Sequence, residues 1–232
     1  MRKIGLIGAV NWYAMSLYFQ RINQQVHKRI GGTCSPPIIL ESLNCGDIAS
    51  DLKDADWDHV AKLLVASARR MEKAGATTIL ICANTMHKVY DQVADAVEIP
   101  VLHIVDAVGA KMKADGIKSA ALFGARNVMA ESWYRQHLVK QGISLMPAEP
   151  ARVDEIDRII HEELVLGNVT RDSERTLRTY ITNIDKKEVS AIVLGAAELR
   201  KLIDIKANIL PIYDSTQIHA DSVIDWILGD AP

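Results

Sequence analysis

Short apolar runs rich in Ile, Val and Leu alternate along this chain with longer segments whose apolar residues recur every three or four positions. That alternation is the tightest constraint on the fold. Parallel strands covered on both faces read as continuous apolar runs, and they need crossover helices to connect them. The spacing predicts strands at Lys3–Gly8, Pro37–Leu43, Thr77–Cys82, Val101–Val105, Ser119–Gly124, Ile143–Met146, Ala191–Gly195 and Ile209–Tyr213. After the first of these, Asn11 is placed to cap a helix whose apolar face is Met15, Tyr18, Phe19, Ile22 and Val26, and Gly31-Gly32 ends it. The same reasoning predicts helices near Asp56–Ala74, Thr85–Val97, Asp106–Ala114, Ala130–Gln141, Val153–Leu166, Asp172–Lys187 and Ser215–Leu228. The class is α/β.

An internal echo sharpens that class. Lys3-Ile4-Gly5-Leu6-Ile7-Gly8-Ala9 resembles Lys118 through Ala125, with Gly124 standing 116 residues after Gly8. Thr78 through Asn84 resembles Ile192 through Glu198, and setting Cys82 against Ala196 gives an offset of 114. Two anchors in near agreement predict a duplicated βα unit: two similar lobes, each a mostly parallel sheet flanked by helices, related by a pseudo-twofold axis. The first lobe is expected at residues 1–105 plus 215–232 and the second at 106–214. Ligands of open parallel sheets bind outside the carboxyl ends of the strands, so the loops after corresponding strands are expected to face one cleft.

Charge and composition then exclude several function classes. With 27 Lys+Arg against 29 Asp+Glu the formal net charge is -2, which argues against a nucleic-acid or anionic-membrane partner and for a small molecule. No apolar run reaches the roughly 18 residues needed to span a bilayer, and the start reads as a first strand rather than a signal peptide, so a cytoplasmic address is expected. Three cysteines, Cys34, Cys45 and Cys82, are an odd and sparse set that fits reduced thiols better than a disulfide frame. Their spacing with histidine matches no zinc site, and no metal is expected. Gly5 and Gly8 fall short of a dinucleotide fingerprint, with Glu41 the only acidic candidate to complete it, and the chain contains no Walker loop or nucleophile elbow.

Cys82 is the thiol in the most suggestive context. It ends an apolar strand and precedes Ala83-Asn84-Thr85-Met86-His87, where a helix start would favour the thiolate and lower the thiol pKa. The plain alternative is a small buried hydrophobe. Asn84 and Thr85 either cradle a carboxylate beside helix amides or serve only as the cap. Cys34 and Cys45 lack such a context. His87 and His219 read equally as polar members of the cleft or as satisfied core histidines, Glu198 as an orienting group or a first-turn carboxylate, and Trp12 and Trp133 as packing residues.

Taken together, Ile4-Gly5-Leu6-Ile7-Gly8, Trp12, Arg21-Ile22-Asn23, Cys82-Ala83-Asn84-Thr85-Met86-His87, Leu102-His103-Ile104, Gly124-Ala125-Arg126, Glu162-Glu163-Leu164 and Asp214 through His219-Ala220 resemble the aspartate/glutamate racemase superfamily, and in particular its bacterial amino-acid racemase branch. The likeness runs over nearly the whole chain. It implies two lobes around a site that uses no cofactor, a homodimer, an amino acid or dicarboxylate as ligand, and two cysteines on opposite faces of the substrate α-carbon. Inverting a stereocentre requires removing a proton from one face and delivering one to the other. Cys82 matches the first family cysteine.

The second family motif resembles Gly-Cys-Thr-Glu-Leu, whereas this chain reads Gly195-Ala196-Ala197-Glu198-Leu199. Ala196 cannot exchange a proton. Where the family's first loop resembles Gly-Gly-Met-Ser-Trp-Glu-Ser-Thr, this chain has Gly8-Ala9-Val10-Asn11-Trp12-Tyr13-Ala14-Met15, and Ala125 stands where the second glycine turn often carries a hydroxyl. Each lost hydroxyl would weaken carboxylate recognition by roughly 0.5 to 1.5 kcal/mol. The resemblance implies a site of Cys82 and position 196 as the catalytic pair, with Asn11, Asn84, Thr85, Ala125, Ala197 and His219 as its substrate-binding positions. Racemisation is the leading expectation. A one-base decarboxylase, lyase or isomerase and a catalytically silent binding relative are the alternatives.

Overall fold

A computed structural model describes residues 1–53, 55–184, 188–206 and 208–229. In chain order the first half contains β1 (Ile4–Gly8), α1 (Trp12–Ile30), β2 (Ile38–Ser42), α2 (Cys45–Lys53), α3 (Trp57–Lys73), β3 (Ile79–Ile81), a 3-10 turn at Thr85–Val89, α4 (Tyr90–Ala94) and β4 (Val101–Leu102). The second half contains α5 (Ile104–Ala114), β5 (Ser119–Gly124), α6 (Arg126–Ala130), α7 (Ser132–Lys140), β6 (Ser144–Leu145), α8 (Pro150–Arg158), a π-helical turn at Ile159–Leu164, α9 (Arg171–Asn183), β7 (Ala191–Gly195), a 3-10 turn at Ala197–Lys201 and β8 (Ile212–Asp214). The chain closes with α10 (Ser215–Ser222) and α11 (Ile224–Leu228). Two compact units result, residues 1–104 with the chain from His219 onward, and residues 105–218.

Each unit holds one four-stranded, all-parallel sheet, and the strand orders are β2-β1-β3-β4 and β6-β5-β7-β8. These are the same topology written twice. The echo in the sequence is therefore an echo of position: β1 and β5 are equivalent, and so are β3 and β7, which makes Cys82 and Ala196 the first residues beyond equivalent strands. All eight predicted strands are present.

The central strands explain why the apolar runs are continuous. β1, β3 and β7 are buried along their whole length, while the edge strand β2 is only partly covered and carries Glu41, whose carboxylate accepts from Ser67 and pairs with Arg70. Alternation sorts the first unit's core into two halves. Ile7, Ile79 and Ile81 meet Val60, Leu64, Ala68 and Met71 of α3, whereas Ile4, Leu6, Leu80 and Cys82 meet Met15, Tyr18, Ile22 and Val26 of α1 and Ile224 and Ile227 of α11. In the second unit Gly124 and Gly195 are opposite each other in the β5–β7 ladder, and a Cβ at Gly195 would come within 2.8 Å of Val128 Cγ1. Glycine there lets α6 lie close against the strand ends.

Departures from the expected element bounds have local causes. The segment expected as one helix at Thr85–Val97 is a 3-10 turn followed by the short α4, and the helix expected at Ala130–Gln141 is broken by the extended backbone of Glu131. Pro150 at the first position starts α8 earlier than Val153, and the segment continues as a π-turn. The long final helix divides at Val223. α9 ends at Asn183, and residues 185–187 of the helix expected to Lys187 lie outside the described residues. No periodic signal announced α2.

Candidate active site

In the first unit the candidate residues gather at the carboxyl ends of β1, β3 and β4. Asn11 is buried and extended, and its Oδ1 accepts from Ala14 N at 2.8 Å, so it caps α1 as its position predicted. Cys82 follows β3 directly. Its side chain is 1% exposed, and Sγ lies 3.7 Å from the Leu80 carbonyl, to which the thiol donates. Asn84 is buried in helical backbone without a side-chain capping bond, so the cap-only reading of this residue does not hold. Thr85 is half-buried at the start of the 3-10 turn.

The thiol's environment reverses one expectation. A helix start was expected to lower its pKa, yet burial pushes the Cys82 thiol well above its usual range. Two features account for the reversal. The helix that follows is only a five-residue 3-10 turn, and strand alternation sends the side chain into the apolar half-core with Leu6, Met15, Tyr18, Leu80 and Ala220. At neutral pH Cys82 is a thiol.

Next to that turn, three histidines are buried together. His87 turns back on the segment after Cys82: its backbone N–H donates to Asn84 O at 3.0 Å, and its ring Nδ1 donates to Ala83 O at 2.9 Å. His219 on α10 is fully buried, with Nε2 donating to Leu102 O at the end of β4 (3.1 Å) and Nδ1 2.7 Å from the Tyr18 hydroxyl. A carbonyl can only accept, so Nε2 carries the proton and Nδ1 accepts from Tyr18. Burial, together with the nearby His87, holds His219 well below the usual imidazole pKa, and only the Leu102 carbonyl opposes this. The His87 ring centroid is 5.4 Å from that of His219 and 5.0 Å from that of His103, and His103 lies 4.5 Å from the Tyr90 ring. Both nitrogens of His219 are engaged by protein atoms, which argues against a three-histidine metal site.

Sequence reasoning placed His87 and His219 but gave no role to His103, Tyr18 or Tyr90. Tyr18 was read only as part of an apolar helix face, and its hydroxyl is the member that completes the cluster. Trp12, expected to pack, is 72% exposed. Trp133 is partly buried and donates from Nε1 to Asn127 O at 3.1 Å. Cys34 is exposed and Cys45 half-buried, neither of them beside Cys82 in this core.

The second unit presents the equivalent strand ends. Ala196 is extended and 9% exposed, and the next turn carries Ala197 and a buried Glu198. Ala125 has no side chain to cap α6; the Asp157 carboxylate of α8 takes that place, accepting from Arg126 N at 2.6 Å. Asp214, at the end of β8, is buried, accepts from Gln217 N at 3.2 Å and lies 3.2 Å from the Arg200 guanidinium.

Comparison with known proteins agrees with this topology. The chain is similar to a Yersinia pestis protein assigned to the Asp/Glu racemases, with a TM-score of 0.91, 35% identity and coverage of 99% of this chain and 100% of the other. It is also similar to an aspartate racemase homologue from Pyrococcus horikoshii OT3, with a TM-score of 0.85, 27% identity and coverage of 99% and 100%. Among curated proteins it is 22% identical over 176 residues, 75% of each chain, to the broad specificity amino-acid racemase RacX of Bacillus subtilis strain 168. Residues 7–223 match the family model described as Asp/Glu/hydantoin racemase, and with nearly the whole chain matched, this protein belongs to that family.

Proposed function

We propose that this chain moves a proton at the α-carbon of a small amino acid without a cofactor, that Cys82 carries the proton, and that aspartate, glutamate or a related dicarboxylate is the substrate. The observation that carries the reading is the place of Cys82, a single thiol just beyond a central strand of a parallel sheet, with Asn84 and Thr85 one turn on. Family membership and the likeness to a broad-specificity amino-acid racemase support an isomerase. Asn11, Asn84 and Thr85 are assigned to the substrate carboxylate, and Ala125 and Ala197 mark positions that offer it no hydroxyl. His219, with both nitrogens engaged, frames the site rather than contacting substrate.

A second reading is favoured by two observations together. Burial keeps Cys82 protonated at rest, the form in which a general acid enters a reaction and a general base does not. At the position equivalent to Cys82 the second unit has the methyl of Ala196 in place of a thiol. A lone thiol that protonates one face of an enediolate would serve a decarboxylase, lyase or one-sided isomerase.

Incubation with L-aspartate and L-glutamate in deuterium oxide separates these readings. Racemisation yields α-deuterium together with the D-enantiomer by chiral chromatography. One-sided chemistry yields deuterium in one configuration only. Absence of α-deuterium from both amino acids and from a panel of small dicarboxylates would overturn the proposal.

A further inference from the structure

Building on the proton-transfer reading, we propose that His87 is a positioning residue for the Cys82 thiol, acting through the Ala83 carbonyl. The segment Cys82 to Thr85 leaves β3 with little regular structure of its own, and His87 closes it with two bonds: its main-chain N–H to Asn84 O and its ring Nδ1–H to Ala83 O. Met86 and Val89 anchor the same turn on the α3 side of the sheet, in the core half opposite the thiol. The turn is thus held from below by apolar contacts and from within by one imidazole.

The ring is itself held. His103 and His219 meet it edge-on at 5.0 and 5.4 Å, with interplanar angles of 76° and 72°, and Tyr90 lies parallel to it at 6.2 Å. His219 is in turn fixed by Tyr18 and by Leu102 O. Packed between these rings, the imidazole holds its Nδ1–H on Ala83 O, which fixes the Ala83–Asn84 peptide one residue beyond Cys82 and through it the path of the backbone that carries the thiol. The chemistry required at position 87 is a donor at the Nδ1 position. Asparagine can supply it; glutamine, whose nitrogen corresponds to Nε2, cannot.

The test compares His87→Asn, His87→Gln and His87→Ala, each with Cys34→Ser and Cys45→Ser so that Cys82 is the only thiol. The first readout does not depend on activity: the rate of Cys82 alkylation by iodoacetamide, compared at temperatures matched for distance below each variant's Tm. The expected result is slow alkylation in the parent and in His87→Asn, and about tenfold faster alkylation in His87→Gln and His87→Ala, the factor for loss of one buried hydrogen bond. The second readout is α-deuterium uptake by L-aspartate or L-glutamate, with kcat falling and KM little changed in His87→Gln and His87→Ala, and largely recovered in His87→Asn. Equal alkylation rates for the Asn and Gln variants would overturn the proposal, even if His87→Ala fails to fold. A parent that shows no uptake overturns the proton-transfer reading, and the alkylation series still decides the role of His87.

Discussion

The rings of His87 and His219 meet edge to face, 5.4 Å between centroids and 72° between planes, and each gives one ring nitrogen to a backbone carbonyl at a strand end. They do so with opposite nitrogens. His87 donates through Nδ1 to Ala83 O, beyond β3, and His219 through Nε2 to Leu102 O, at the end of β4. One buried pair therefore ties two neighbouring parallel strands to the turn that follows Cys82.

Nitrogen-15 NMR of the imidazoles reads this arrangement directly. At pH 7.5 His87 is expected as the Nδ1–H tautomer and His219 as the Nε2–H tautomer. Finding the same tautomer in both rings, or a doubly protonated His219, would contradict the hydrogen-bond assignment.

Stability should depend on pH through His219. Its folded pKa is depressed, so below the unfolded value of about 6.5 the unfolded chain binds a proton that the folded chain refuses. Unfolding free energy then falls as pH drops from 6.5 toward 5. His59, raised by its exposed pair with Asp51, works in the opposite sense. Urea titrations of the parent and of His219→Gln isolate the effect: the variant is expected to be less stable at pH 7.5 and to lose part of the slope between pH 6.5 and 5. Parallel profiles for the two would rule out a neutral buried His219.

The buried thiol predicts its own pH profile. In the Cys34→Ser, Cys45→Ser background, thiolate absorbance at 240 nm is expected to rise only above pH 9, because burial raises the Cys82 pKa. Titration near neutrality would place Cys82 in a polar environment instead.

In the second unit, Asp157 replaces the capping side chain that Ala125 lacks. Asp157→Ala should cost about 1 kcal/mol of stability, the usual value of a helix cap, and Asp157→Asn, which retains an acceptor oxygen, less. The difference is measurable as a shift in denaturant midpoint at constant m-value.

Ala196→Cys tests the equivalence of the two strand ends. If position 196 is the counterpart of Cys82, the new thiol should raise the rate of D-enantiomer formation by about 100-fold or more, the low end of what a positioned acid or base contributes. An unchanged rate would separate the topological match from the chemical one.

Much of this was legible in the chain. β1, β5 and β7 announce themselves because strands covered on both faces leave no polar interruption, and Asn11 and Gly31 bracket α1 through local chemistry alone. The turn after Cys82 was not legible: its residues have helical spacing, and the clamp that tightens it depends on the side-chain conformation of His87. The thiol's pKa was misread because proximity to a helix start is visible in sequence, whereas the half-core that receives the side chain is assembled from β1, α1 and the far C-terminal segment. The histidine cluster was hidden for the same reason, since His219 and Leu102 are neighbours only in the folded chain.

The most direct test of the central claim is α-deuterium uptake from deuterium oxide by L-aspartate and L-glutamate, measured by proton NMR for the parent, Cys82→Ser and Cys82→Ala. The account predicts uptake in the parent and a loss of at least about 100-fold in both variants, with folding unchanged by circular dichroism. Uptake that persists in Cys82→Ala at the parent's rate would contradict it.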